Sequence, residues 1–273
     1  MSAGTSARHR RPARGARVLF TVIGRTITGF FRFMGETLIL HTRVLWGIVR
    51  GRIGYRETLA QMAHVGVNSL PIVVITMLFS GMVLAYHAAI QASKLGAGSL
   101  VGWLVAETMC RELGPALSSI VISARAGSAM TAELGTMKVT EQIDALRAMA
   151  VNPVDYLVTP RYIACLVLVP ILALIADVVG VMGGYLLALS TPDVNPVAYL
   201  ANIPGNLDEW TVIAGILKSI AFAVIIAIVA CYEGISCEMA SVEVGRATTR
   251  SVVYCIMLIY AANFVLSLIV YPS

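Results

Sequence analysis

Residues 65–90, VGVNSLPIVVITMLFSGMVLAYHAAI, decide the class of fold to which this chain belongs. The stretch contains no aspartate, glutamate, lysine or arginine. A run of about 20 apolar residues is long enough for an α-helix to cross the hydrocarbon core of a membrane. The stretch therefore predicts a membrane-spanning helix.

The rest of the chain has the composition of a membrane protein. Of its 273 residues, 58% are hydrophobic and 13% are charged, and the mean hydropathy is +0.82. Soluble domains have about a quarter charged residues, and disordered chains are less hydrophobic and more highly charged. The sequence argues against both classes and predicts an all-α integral membrane protein. Four further stretches are predicted to span the membrane: residues 98–124, 162–189, 211–232 and 251–271.

The lysines and arginines predict the orientation of these five transmembrane helices. With the N-terminus in the cytoplasm, 17 of the 20 basic residues fall in three inner segments: 1–64, 125–161 and 233–250. The outer loops hold only Lys94. Cytoplasmic loops are enriched in Lys and Arg, so we expect a cytoplasmic N-terminus and an external C-terminus.

The basic charge is concentrated at the N-terminus. Residues 1–56 contain 11 arginines and one acidic residue, Glu36, whereas residues 57–273 contain 9 basic and 14 acidic residues. A basic arm next to apolar helices is typical of contact with an anionic membrane surface rather than with nucleic acid.

The pattern within this arm predicts two parts. Residues 1–14 form a disordered basic tail, and residues 15–56 form an amphipathic helix that lies in the membrane interface. On that helix the charged residues fall within about 20° of one line: Arg25, Arg32, Glu36, Arg43 and Arg50. A sixth transmembrane helix is the alternative, and the arginines on one face make it the weaker one.

The sequence contains no motif for covalent or hydrolytic chemistry. The patterns G-x-x-x-x-G-K-[ST], H-E-x-x-H, G-x-S-x-G and C-x-x-C are missing, so we expect neither catalysis nor ATP binding through them. The five cysteines lie in or beside apolar runs and are predicted to be small buried hydrophobic residues.

The charged residues of the second predicted span, 98–124, carry most information about function. Glu107, Arg111 and Glu112 interrupt an otherwise apolar helix, where charges are costly unless they are paired or wetted. Glu107 and Arg111 have the i, i+4 spacing of an ion pair. Two interpretations remain open: an internal pair that locks the bundle, or a polar patch that meets a charged lipid headgroup.

Two other charged residues lie inside predicted spans. Asp177 stands among small residues that let helices approach closely, which favours a packing role over an ion ligand. Lys218 lies near the outer end of the fourth span and could extend to the surface, so we attach no function to it.

The inner segment 125–161 is too polar to cross a membrane but is rich in helix-forming residues. Thr140 is a candidate N-cap, and Asn152-Pro153 ends the helical pattern. We therefore predict a short cytoplasmic helix at about 141–150, between the second and third spans. It is either a plain surface helix or a docking element for a motor subunit.

Several segments resemble the MlaE/YrbE-type permeases, the membrane subunits of ABC transporters that work with mammalian-cell-entry (MCE) domain proteins. They are RELGP (111–115), ARAGSAMTAELGTMKVTEQIDALRAMAVNPVDYLVTPR (124–161), GGYL (183–186) and GRATTRSVV (245–253). The resemblance extends from about residue 18 to the C-terminus, and the central block is long and specific.

The resemblance implies five spans after an interfacial helix, a dimer of permease subunits, an MCE-domain protein on the outer face and a bacterial inner membrane. It also implies a lipid substrate and no cofactor on this chain, with ATP and Mg on a separate P-loop ATPase. The ATPase would contact the 141–150 helix through Glu141, Ile143, Asp144, Leu146 and Arg147.

The resemblance places Arg111 and Glu112 near a lipid-binding cavity. Glu107 departs from the expected small or apolar residue, and its pairing with Arg111 would weaken a direct role for that arginine. The apolar lining predicted from the first span consists of Leu78, Met82 and Ala85.

Two other functions compete with lipid transport. An ion or proton channel would use Glu107, Arg111, Glu112 and Asp177 and would need no ATPase. A membrane scaffold would only anchor partners. The length and specificity of the 124–161 block favour the permease.

Overall fold

A computed structural model describes residues 13–51, 54–94, 96–191 and 194–271. Every regular element within these ranges is helical, which confirms the predicted all-α class. Residues 1–12 of the predicted tail lie outside the described residues, and the first helix begins at Ala13.

The chain forms twelve α-helices in the described ranges. They are α1 (Ala13–Val49), α2 (Tyr55–Gly66), α3 (Leu70–Lys94), α4 (Val101–Thr108), α5 (Gly114–Ile122), α6 (Ser128–Val139), α7 (Gln142–Ala148), α8 (Thr159–Ala188), α9 (Pro196–Ala201), α10 (Ile203–Asn206), α11 (Glu209–Ile235) and α12 (Ser241–Val270). Three π-helical turns lie between them: Met109–Leu113, Ser123–Gly127 and Val154–Val158.

Four helical stretches in the described part are long and apolar enough to cross a membrane: Tyr55–Lys94, Val154–Ala188, Glu209–Ile235 and Ser241–Val270. They coincide with the predicted first, third, fourth and fifth spans. The predicted second span is not among them, since Glu107, Arg111 and Glu112 interrupt its apolar sequence. It is nevertheless helical from Gly98 to Val139 and packs against α8, α11 and α12. Its status as a fifth span stays a prediction.

Glycines let α3 and α8 pack backbone to backbone. A Cβ atom added to Gly81 would lie 1.9 Å from the carbonyl oxygen of Gly180, and one added to Gly183 would lie 2.2 Å from that of Leu78. No real side chain tolerates such distances. The small residues noted around Asp177 therefore serve close helix packing, as small-residue rows do in membranes.

The long helix α1 is attached to the bundle through its second half. Phe33 packs against the rings of Tyr232 and Tyr254, at centroid distances of 5.3 and 4.8 Å. Glu36 accepts hydrogen bonds from Tyr232 Oη at 2.5 Å and Arg32 Nε at 2.8 Å. One member of the predicted polar stripe thus faces the bundle, because Tyr232 of α11 offers it a donor.

The other members of the stripe whose side chains are described, Arg32, Arg43 and Arg50, are exposed; the side chain of Arg25 lies outside the described part. Beside them, α1 also exposes apolar side chains: Phe31, Leu38, Leu45, Trp46 and Val49. Exposed apolar and exposed basic side chains therefore lie next to each other on α1, and its predicted place in the membrane interface remains a prediction.

The α3–α8 contact gives a test of the packing. We expect Gly81→Ala to lower the free energy of unfolding by about 1–3 kcal/mol, because the added methyl group pushes the two backbones apart. Thermal unfolding of the purified protein in detergent measures the effect.

Gly245→Ala is the matched control, since an added Cβ atom there meets nothing within 4 Å. Alanine also favours the helix over glycine, so the control should be neutral or stabilising. Equal melting temperatures for Gly81→Ala and the unmodified protein would contradict the described contact.

Candidate functional site

The π-helical turn Met109–Leu113 places two adjacent charged residues, Arg111 and Glu112, at the contact with α11 and α12. In an α-helix the Arg111 carbonyl would accept a hydrogen bond from the N–H of residue 115. That residue is Pro115, which has no N–H to donate. Lys218 Nζ of α11 donates to that carbonyl at 3.0 Å. The π-turn and the proline thus open the backbone to a side chain from another helix.

Lys218 makes a full set of hydrogen bonds inside the protein. Its side chain is 0% exposed, and Nζ donates to the Arg111 carbonyl, to Glu112 Oε1 at 2.8 Å and to Ser267 Oγ at 2.9 Å. These three bonds use its three donors. The prediction that Lys218 extends to the surface is wrong, because a carboxylate on the neighbouring helix neutralises it in the interior.

The Glu112 carboxylate joins three parts of the bundle. It accepts hydrogen bonds from Lys218 of α11 and from Asn263 Nδ2 and Ser267 Oγ of α12, each at 2.8 Å. Lys218 is fully buried, whereas Glu112 is half-buried. Such a pair is favourable when further hydrogen bonds satisfy its remaining atoms, and here both Glu112 oxygens and all three Lys218 donors are used. Glu112 is therefore an internal anchor of the helices.

Arg111 has a different environment from that of Glu112. Its guanidinium lies 3.5 Å from Glu107 Oε1 and stacks over the ring of Tyr271, with Cζ 3.7 Å from the ring centroid. Thr211 Oγ1 of α11 also donates to Glu107, at 3.3 Å. The Arg111 side chain remains 41% exposed. The predicted Glu107–Arg111 pair is present, yet the arginine stays accessible.

We name the whole set the polar cluster: Glu107, Arg111, Glu112, Thr211, Lys218, Asn263, Ser267 and Tyr271. Sequence reasoning assigned only the first three members to a site. It noted Lys218 without giving it a role, and it did not identify the other four, which only the fold brings to the carboxylates.

Asp177 lies apart from this network. The Asp177 side chain is buried, and its Oδ1 has no hydrogen-bond partner. This oxygen lies against Gly114, and a side chain at position 114 would collide with it. Asp177 and Cys110 line a cavity of about 510 Å³ between α8 and the helices α10 and α11. The rest of the lining consists of apolar side chains.

The predicted lining residues of the first span lie on α3. Ala85 is buried and meets Gly184 of α8, while the Leu78 carbonyl faces Gly183; Met82 is half-buried. Leu78 and Ala85 therefore contribute to the α3–α8 contact, whereas the polar cluster lies where the 98–139 run meets α11 and α12. A lipid cavity that includes both sets stays a prediction.

The other end of the bundle carries a second ion-paired group. Glu133 of α6 lies 3.0 Å from Arg161 of α8 and 3.9 Å from His64 of α2. Arg125 donates to the His64 carbonyl at 2.6 Å. Arg125 and Glu133 belong to the long block 124–161, and they hold α2, α6 and α8 together.

The short helix α7, Gln142–Ala148, lies within the predicted range 141–150. Ile143 is buried and Leu146 packs on the core, while Asp144 pairs with Arg147 at 2.7 Å and with Lys138 at 3.7 Å. The side of α7 that faces away from Ile143 and Leu146 is largely exposed. The helix is thus held by its apolar side and presents charged residues outward.

The ends of α7 differ from the prediction. Thr140 is not the N-cap, since its hydroxyl donates to the Thr136 carbonyl at 2.8 Å and thereby completes α6. Glu141 takes the N-cap position in the left-handed region, with φ of 58°. Ala150, just beyond α7, has the same φ. Two tight turns built from non-glycine residues therefore bound α7.

All five cysteines are buried and unpaired, as predicted. No group of His, Cys, Asp or Glu within the described residues has an arrangement that could hold a metal ion.

A family model described as Permease MlaE matches residues 58–269. The chain belongs to the MlaE permease family. The match covers the polar cluster up to Ser267, the ion-paired group around Glu133, and α7. Helix α1 precedes the residues that the MlaE family model matches.

Relatives agree with this assignment. The chain is 39% identical over 244 residues to a probable ABC transporter permease protein of Synechocystis sp., covering 89% of this chain and 93% of that protein. It is 31% identical over 254 residues to the intermembrane phospholipid transport system permease protein MlaE of Haemophilus influenzae, covering 93% and 97%. It is 35% identical over 229 residues to the chloroplastic protein trigalactosyldiacylglycerol 1 of Arabidopsis thaliana, covering 84% and 65%. This MlaE homologue is thus an ABC transporter permease with several membrane-crossing helices.

The polar cluster gives a second prediction. We expect Lys218→Met to destabilise the protein by up to about 3 kcal/mol, since it leaves the Glu112 carboxylate without its counter-charge. Because Glu112 keeps a third of its side chain exposed, water offsets part of the loss. Thermal unfolding in detergent measures the change.

Lys94→Met is the control, because it removes the same side chain from an exposed position at the end of α3. The double variant with Lys218→Met and Glu112→Gln should recover part of the stability. If Lys218→Met melts at the temperature of Lys94→Met, the pair contributes nothing and our account of it is wrong.

Proposed function

We propose that this chain is the transmembrane subunit of a transporter that moves phospholipid, or another hydrophobic lipid, between membranes. A separate P-loop ATPase, which binds ATP and Mg, drives the transport. The name of the Haemophilus relative, an intermembrane phospholipid transport permease, supports the substrate class. The observation that carries the proposal is the accessible guanidinium of Arg111, which lies beside the long apolar helices α11 and α12.

In this proposal the two interpretations of the second span apply to different residues: Glu112 forms an internal pair, and Arg111 meets the lipid headgroup. Glu112 is held by three donors and serves as the internal pair. Arg111 is partly neutralised by Glu107 and rests on Tyr271, yet two fifths of its side chain is exposed. In our proposal a lipid phosphate meets Arg111, with Glu107 weakening the attraction enough for release.

A second permease subunit is expected at α12. Its exposed apolar side chains recur every three or four residues along one face: Met257, Tyr260, Phe264 and Leu268. Such a face suits either lipid or a neighbouring helix. We propose that two copies, or two related subunits, face each other through α12 and enclose acyl chains near Tyr271 and Arg111.

The direction of the helices follows from the charge distribution. We propose that α7 and the ion-paired group around Glu133 face the cytoplasm and that α9 and α10 face the other side, where an MCE-domain protein exchanges lipid. Under this arrangement the N-terminus is cytoplasmic and the membrane is a bacterial inner membrane. The run 98–139 then forms the fifth crossing and links the polar cluster to α7.

The rival channel hypothesis has less support. It requires the intramembrane charges to form a path, but Glu112 is engaged by Lys218 and Asp177 lies in a separate, mostly apolar cavity.

We expect Arg111→Ala to reduce the lipid that co-purifies with the protein, since it removes the exposed charge that meets the headgroup. Native mass spectrometry of the protein in mild detergent counts lipid per permease. Arg246→Ala, at the far end of α12, is the control. Unchanged lipid loading in Arg111→Ala, with an unchanged melting temperature, would show that Arg111 has only an internal role.

We expect Asp144→Lys to abolish recovery of the ATPase, since it reverses the charge at the centre of the α7 surface. The measurement is the amount of P-loop ATPase that co-purifies with the tagged permease from its host. Glu209→Lys, a charge reversal at the start of α11, is the control. Undiminished ATPase recovery with Asp144→Lys would place the docking site elsewhere.

A further inference from the structure

A cavity of about 280 Å³ lies between α1 and the start of the helical stretch Val154–Ala188. Arg43 and Trp46 of α1 line it together with Arg50, the residue that follows α1, and Asn152 and Asp155 line it from the opposite side. It is distinct from the polar cluster in its residues, and its arginines lie outside the residues that the family model matches.

The cavity carries the chemistry of a phosphate site. Arg43 and Arg50 are seven residues apart and therefore lie on one side of the helix, about 10 Å apart along its axis. With the single carboxylate of Asp155, the lining has a net charge of +1. Guanidinium groups bind phosphate oxygens through paired N–H donors.

The remaining polar group of the lining adds a donor. Asn152 Oδ1 accepts a hydrogen bond from the Val154 N–H at 3.1 Å. Since the amide oxygen is used in this way, the amide nitrogen is the group that Asn152 can offer to a ligand. The donors of the cavity therefore suit an anion.

The surroundings of the cavity are apolar and exposed, unlike those of a site for a free ion. Val49 is 79% exposed and Trp46 is 58% exposed, and the Trp46 ring lies under the Arg50 guanidinium at 4.5 Å. Tryptophan with arginine is typical of the level of lipid headgroups, so apolar chains can lie beside the charged cavity.

We propose that this cavity binds the headgroup phosphate of an anionic phospholipid from the leaflet beside α1, with its acyl chains along Trp46 and Val49. The lipid is a resident one that holds α1 to the bundle, and it is separate from any transported lipid near Arg111. The proposal rests on the chain being a membrane protein, and it does not depend on transport.

The experiment is a lipid titration of the full-length protein in detergent, followed by native mass spectrometry. Phosphatidylglycerol is compared with phosphatidylcholine, whose headgroup has no net charge. We expect phosphatidylglycerol to bind more tightly. The variant with Arg43→Gln and Arg50→Gln should weaken its binding by about fivefold for each arginine removed.

Two controls locate the effect. Arg32→Gln removes a charge from the same stripe of α1 outside the cavity and should leave the affinity within twofold of the unmodified protein. Arg43→Lys keeps the charge but loses the paired donors, so it should fall between the unmodified protein and Arg43→Gln. Arg111→Ala should leave this lipid bound, which separates the result from the test of the proposed function.

Three outcomes would overturn the proposal. Equal loss of phosphatidylglycerol in Arg32→Gln would show general attraction to a basic helix rather than a site. Equal affinity for phosphatidylcholine would remove the role of net charge. Displacement of the lipid by excess inorganic phosphate, with phosphate bound to the unmodified protein but not to the double variant, would assign the cavity to free phosphate.

Discussion

The cost of placing charge among apolar helices governs the arrangement of this permease. Glu112 and Lys218 would each destabilise a bundle of this composition if either were present without the other. Together with Asn263 and Ser267 they form a neutral, hydrogen-bonded group that joins the second helical run to α11 and α12. The positions of these three helices relative to one another are thereby determined by polar contacts, while α3 and α8 rely on glycine.

The same constraint explains why an accessible arginine can lie next to an internal ion pair. Because Lys218 neutralises Glu112, the neighbouring Arg111 is left with a weaker partner at 3.5 Å and an aromatic support. Its charge is therefore stabilised without being enclosed. The helical run from Gly98 to Val139 connects this arginine to the segment that carries α7.

Much of the fold could be predicted because apolar length is a local property. A membrane-crossing helix can be recognised from each of four apolar stretches without reference to the rest of the chain: 65–90, 162–189, 211–232 and 251–271. The composition of the segment before Asn152-Pro153 likewise predicts α7. The partner of Glu112 could not be predicted in this way. Lys218 is 106 residues away, and only the packing of α11 shows that it points inward. The left-handed Glu141 was equally hidden, since nothing in its type favours that conformation over the more usual Thr140 cap.

The separation between Glu112 and Lys218 along the chain has a consequence for biogenesis. During synthesis, the second run emerges with Glu107, Arg111 and Glu112 long before α11 supplies the lysine and α12 the amide and hydroxyl. Glu107 and Arg111 can pair within the run, but until then Glu112 can be stabilised only by water or by the insertion machinery. Stable entry of this run into the lipid is therefore coupled to completion of the chain. If the ribosome stalled before α11, the run that later forms the centre of the bundle would be the segment least stable in the membrane.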